Sequence, residues 1–154
     1  MVAGTGAIAF AKTAGRRPLR VGGLGPLLGD EGSGFWIGKQ YLRTRPESEA
    51  VRLARRPDVV RAVAALAHRA PSRCFLDASN HLIRMAESAA KPFGRSRTVP
   101  IACHGGLFLE PRLRSAFGSS LSKSKTRWKL IAADDAPEVT VAQLALSRKK
   151  FIVE

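Results

Sequence analysis

The sequence predicts an α/β domain in which an antiparallel strand pair leads into helices and then into two β-α units. Three observations predict it. Short apolar runs broken by turn residues fill the first 21 positions, and apolar residues recur at helical spacing through the middle. Beyond the middle, two more apolar runs each lead into a helical pattern. The length of 154 residues leaves room for one ordinary domain. With 45% hydrophobic and 25% charged residues, the chain has the composition of a folded protein. No apolar stretch approaches the ~20 residues of a spanning helix, and Lys12 and Arg16 follow the first apolar run instead of preceding it as in a signal peptide. The reading is therefore a soluble, cytoplasmic protein without membrane contact.

Taken in order, Ala7-Ile8-Ala9-Phe10-Ala11 is a strand and residues 13–17 are a turn. Leu19-Arg20-Val21 resumes as the second strand of a hairpin. Glycines crowd positions 22–34, where backbone adopts unusual dihedrals or admits a close neighbour. A helix is predicted over 33–43, its apolar side made by Phe35, Trp36, Ile37 and Tyr41. Pro57-Asp58 starts a helix whose apolar positions are Val59, Val60, Val63, Leu66 and Ala67. Pro71 interrupts, and a second helix is expected over 77–90, with Leu82, Ile83, Met85 and Ala86 inward. Residues 91–98 form a loop, and Val99-Pro100-Ile101-Ala102 is a short buried strand running into His104-Gly105-Gly106. Pro111 opens a helix over 111–121, at the first-turn position where proline is tolerated. A strand over 128–132 and a helix over 137–147 close the pattern. The sheet would have an antiparallel front continuing into parallel strands, with ligands at the strand ends where the glycine turns fall.

Lys and Arg number 26 against 12 Asp and Glu, a net charge of +14. Such a balance attracts polyanions. The basic residues come in small scattered groups, and aromatic residues that stack bases are only 6% of the chain. Charge alone thus supports a basic polyanion- or RNA-binding module as the alternative function, and no specific nucleic acid is expected. Cys74 and Cys103 are too few for a disulfide framework or a four-ligand zinc site. His68, His81 and His104 show no metal-ligand spacing, and His68 and His81 are read as polar groups near helix ends. No metal ligand is assigned.

Three glycine turns carry the chemistry. Gly4-Thr5-Gly6 is either a hairpin turn or a cradle whose amides and hydroxyl meet an anion. In Gly29-Asp30-Glu31-Gly32-Ser33-Gly34, the carboxylates and Ser33 either cap the following helix or, through Asp30, bind ligand hydroxyls. Gly105-Gly106 is a tight left-handed turn or a surface for a base or ribose.

In this order, Val2-Ala3-Gly4-Thr5-Gly6-Ala7-Ile8-Ala9, the stretch from Val21 to Gly38 and Val99 to Phe108 resemble the N-acetylglucosamine kinase-like proteins of the BadF/BadG/BcrA/BcrD ATPase family. That resemblance implies an RNase H-like, actin-like ATPase fold and phosphoryl transfer from ATP, with Mg2+, to an amino-sugar hydroxyl. By the same likeness, Gly4, Thr5 and Gly6 match the phosphate-binding loop, and Gly23, Asp30 and Gly34 match amino-sugar contacts. Gly105, Gly106 and Leu107 match the adenosine-binding turn. The family's first phosphate loop and catalytic aspartate lie upstream of the Gly-Thr-Gly loop, and neither occurs here, so no residue is assigned as catalytic. Residues 1–154 are accordingly read as one domain, the C-terminal half of a two-domain kinase lacking its N-terminal phosphate-loop domain. A truncated chain of this kind would be a poor phosphotransferase or an inactive fragment, completed by a complementing N-terminal domain or paired as a homodimer. Ala7, Leu24 and Thr140-Val141 depart from the family pattern.

Overall fold

A computed structural model describes residues 1–13, 17–94 and 98–131. The predicted final helix, Thr140-Val141, Asp134-Asp135, Arg95 and Arg97 lie outside the described residues, as does the centre of the 13–17 turn. Three strands form the first ladder: β1 (Val2–Ala3), β2 (Ala7–Ala11) and β3 (Leu19–Gly22), in the order β1-β2-β3 and antiparallel throughout. The hairpin expectation holds, and residues 2–3 add a strand ahead of it. Along β2 the alternation is plain: Ala7 and Ala9 are buried, while Phe10 points outward. A second ladder pairs β4 (Val99–Ala102) with β5 (Trp128–Ile131) in parallel.

The two ladders meet at β1. Ala3 N–H donates to the His104 carbonyl at 2.9 Å, and His104 N–H donates to the Met1 carbonyl at 2.9 Å. A parallel bridge between Val2 and His104 results, and the strands run in the order β3-β2-β1-β4-β5. The expected antiparallel and parallel ladders are thus both present, as two sheets joined by this isolated bridge. The backbone at Gly105 makes the approach possible. Its φ is +98°, and a Cβ there would collide with the Ala3 carbonyl.

Among the described residues, six α-helices follow from capping and spacing. A single turn, α1 (Gly25–Leu28), precedes α2 (Gly34–Leu42), which Ser33 caps by accepting from Trp36 N–H at 3.1 Å. Gly34, Ile37 and Gly38 are the buried face of α2; Phe35, Trp36 and Tyr41 are only half-buried, so its inner side is made of small residues. α3 (Glu47–Ala54) has no counterpart in the sequence reading, because Leu53 is its only buried residue. α4 (Val59–Ala65) begins where Pro57-Asp58 predicts and continues as a 3₁₀ turn over Leu66–Arg69.

α5 (Ser72–Ala90) starts five residues before the predicted 77. Pro71 separates the two helical segments as expected, and it sits at the N-cap of α5, where a missing N–H costs nothing. His81 therefore lies in mid-helix, edge-on to Trp36 with ring centroids 5.0 Å apart, and not near a helix end. α5 crosses β2 and β3 and packs along α6 (Pro111–Lys123). Cys74, Phe75, Ala78, Leu82, Ile83, Met85, Ala86 and Ala89 form its inner stripe. Full burial of Phe75, Leu82 and Leu113 contributes about 1.5–3 kcal/mol each. The buried Ser79 hydroxyl donates to Ser120 Oγ at 3.0 Å, so the α5–α6 seam leaves no polar atom stranded there.

Gly38 lets α2 rest on α4, because a Cβ at that position would strike the Val63 carbonyl. Gly38→Ala is expected to lower the unfolding free energy by about 1–3 kcal/mol. Urea denaturation with an unchanged m-value is the check; an unchanged midpoint would mean that the two helices do not pack this closely.

Candidate functional site

The turn between β1 and β2 is fixed from outside. Gly34 N–H donates to the Gly4 carbonyl at 2.7 Å, and Phe35 N–H donates to the Thr5 carbonyl at 3.1 Å. With Ser33 Oγ accepting from Trp36 N–H and the Ser33 carbonyl from Ile37 N–H, all of the first amides of α2 are engaged. The start of α2 therefore holds the glycine turn and is not itself an open anion site. Within the turn, Gly4 N–H donates to the Gly6 carbonyl at 2.9 Å. Among the described residues, the Thr5 and Gly6 amides donate to no protein atom. Thr5 is exposed.

Asp30 fastens the same turn from its other end. Its Oδ1 accepts from Ala7 N–H at 3.2 Å, its carbonyl accepts from Ser33 N–H at 3.0 Å, and the residue is buried. Its φ of 64° is a left-handed conformation that aspartate tolerates better than most side chains. Ser33, not Asp30, caps α2, and the Asp30 carboxylate staples one glycine turn to the next.

The turns open onto one cleft of about 490 Å³. Gly4 and Thr5 border it on the sheet side, and Gly34 borders it at the start of α2. Gly106 and Leu107 enter from the 3₁₀ turn over Gly106–Leu109, and a Cβ on Gly106 would meet nothing within 4 Å. The opposite wall is α4 and its continuation, with Arg61, Ala64, Ala65, Ala67 and His68. Phe75 and Glu110 complete it. Gly6, Gly23, Asp30 and Gly105 do not line this cleft. Gly23 instead sits against Ile8, with the Arg20 guanidinium donating to its carbonyl.

Arg112 organises the far end, and no local pattern announces it. Its guanidinium donates to the Ala70 carbonyl at 2.8 Å, to the His68 carbonyl at 2.9 Å and to Glu110 at 2.7 Å, and it lies 4.2 Å from the Phe75 ring centroid. The Glu110 carboxyl is held below its ordinary range mainly by the hydrogen bond from Arg112. Among the described residues, His, Cys, Asp and Glu form no group of three that could hold a metal ion. No helix there is long and apolar enough to cross a membrane.

No family model matches the sequence, and no curated protein matches it. Among solved structures, the chain is similar to the crystal structure of a "Putative N-acetylglucosamine Kinase from Chromobacterium violaceum", with a TM-score of 0.58 at 20% identity. The likeness is one of fold. It covers 82% of this chain and 53% of the other, so this chain spans about half the length of that protein.

Asp30→Ala is expected to cost about 1–3 kcal/mol, because a buried amide loses its acceptor. Asp30→Asn, which keeps an acceptor oxygen, is expected to retain most of that stability in the same urea titration. Equal stability of the alanine variant and the parent protein would show that the carboxylate does not hold the turn.

Proposed function

We propose that this chain is the nucleotide-binding part of an actin-like sugar kinase that transfers a phosphoryl group from Mg-ATP to an amino-sugar. One observation carries the reading: glycine turns at positions 4–5, 34 and 106–107, far apart in sequence, border a single cleft. The strand order, antiparallel around β2 and parallel from β1 onward, supports the actin-like assignment, as does the likeness in fold to a sugar kinase.

In this reading the Thr5 and Gly6 amides and the Thr5 hydroxyl receive the terminal phosphates, as donors already turned away from protein acceptors. Gly106, Leu107 and the alanines of α4 flank the base and ribose, where the absence of side chains leaves room for a flat ring. Mg2+ would arrive on the phosphates and neutralise their charge. Arg61, exposed at the cleft margin, adds a favourable field for a polyanion. Gly34 brings the amino-sugar side to the cleft, and Asp30 acts through the turns that it joins. Orientation and charge compensation are what this chain supplies; the catalytic aspartate would belong to a complementing domain.

Isothermal titration with Mg-ATP, with and without N-acetylglucosamine, tests the reading. Gly106→Phe fills open space in the cleft, so it is expected to weaken Mg-ATP binding by at least about tenfold while leaving the thermal midpoint close to that of the parent. A folded parent protein that binds neither ligand, or a variant that binds ATP unchanged, would contradict it.

A further inference from the structure

Two walls face each other across the cleft. Ala64, Ala65, Ala67 and His68 make one, at the end of α4 and in the 3₁₀ turn that continues it. Gly106 and Leu107 make the other. A flat ring held between two walls needs them about 7 Å apart, because each face packs at about 3.5 Å. A misfit of roughly 0.5–1 Å on one face already forfeits a quarter to a half of the dispersion attraction there. The separation of the walls therefore decides how well a base is held.

Arg112 fixes that separation. The carbonyls of His68 and Ala70 fall at the end of the 3₁₀ turn over Leu66–Arg69, where helical carbonyls run out of partners along the chain. The Arg112 guanidinium donates to them at 2.9 and 2.8 Å. Toward the other wall, its Nε donates to Glu110 Oε1 at 2.7 Å and its Nη2 to Glu110 Oε2 at 3.2 Å. Glu110 N–H donates in turn to the Leu107 carbonyl at 3.2 Å. Among the described residues, the hydrogen bonds that tie the first wall to the segment of the second all come from this one side chain. It lies over Phe75, a buried ring that itself borders the cleft. Two carbonyls and both carboxylate oxygens are served by one planar fork, a geometry that the point charge of a lysine ammonium does not reproduce. Arg112 does not border the cleft, so it acts on a ligand only through the walls that it joins.

We propose that Arg112, gripped by Glu110, is a positioning residue that sets the width of the base end of the cleft and so makes the site select a nucleotide over a bare polyphosphate chain. The inference rests on the nucleotide reading above. The phosphate end is held independently of Arg112, because the Gly4-Thr5-Gly6 turn is bonded to the start of α2 and to Asp30. Loss of the clamp therefore loosens the base and spares the phosphates.

Isothermal titration with Mg-ATP and, separately, with Mg-tripolyphosphate reads the two ends apart. Arg112→Lys keeps the charge and loses the fork. It is expected to weaken Mg-ATP binding by at least about fivefold while tripolyphosphate stays within about twofold of the parent. Glu110→Gln removes the charged grip and leaves the carbonyl bonds, so it is expected to shift the same ratio in the same direction by a smaller factor. It carries the comparison if the lysine variant does not fold, which the thermal midpoint shows. Parallel weakening of both ligands would mark a merely structural role and overturn the inference, as would Mg-ATP affinity unchanged in the folded variants. A parent protein that binds both ligands equally well would overturn it too, while leaving a phosphate site in place. A parent that binds neither would overturn the nucleotide reading itself, and this inference with it.

Discussion

Two main-chain hydrogen bonds, from the first amides of α2 to the carbonyls of Gly4 and Thr5, hold the cleft side of this molecule in place. Helix N-termini attract acceptors because several amides there lack partners and because the helix dipole is positive at that end. Here the acceptors are the carbonyls of a glycine turn. With those carbonyls bound to α2, the Thr5 and Gly6 amides donate to no protein acceptor among the described residues, and Asp30 secures the strand that follows. The cleft exists because a turn between strands and a turn before a helix are bonded to each other.

Around that joint the chain uses small residues to bring backbones together. Gly105 admits β1 beside the residues after β4, Gly38 admits α2 onto α4, and alanines make much of the contact between α5 and the sheet. Close packing of this kind leaves few spare volumes, and the cleft lies at the strand ends, where glycine turns keep side chains away.

Features encoded by local chemistry were legible in the sequence. Proline at 71 and 111, Ser33 before a helical run and the alternation in residues 7–11 each report a few neighbouring dihedrals, and the helices and strands sit at or beside them. The glycine turns were legible for the same reason, and their resemblance to a sugar-kinase family agrees with the likeness in fold. Long-range features were not. Arg112 acts on carbonyls 42 and 44 residues away, which no spacing rule connects. α3 buries a single leucine, and the wall of the cleft formed by Ala64 and Ala65 consists of residues without a chemical signature. Asp30 was legible as a notable residue, but its partner, a main-chain amide 23 positions earlier, was not.

The account turns on whether the unengaged amides at the β1–β2 turn and the glycine turn after β4 act on one ligand. Amide chemical-shift mapping of the labelled chain during addition of Mg-ATP measures this directly. The account predicts that the largest shifts fall together on Thr5, Gly6, Gly106 and Leu107, with saturation at a common ligand concentration. Shifts confined to one of these turns, or centred on the exposed basic residues elsewhere, would contradict it.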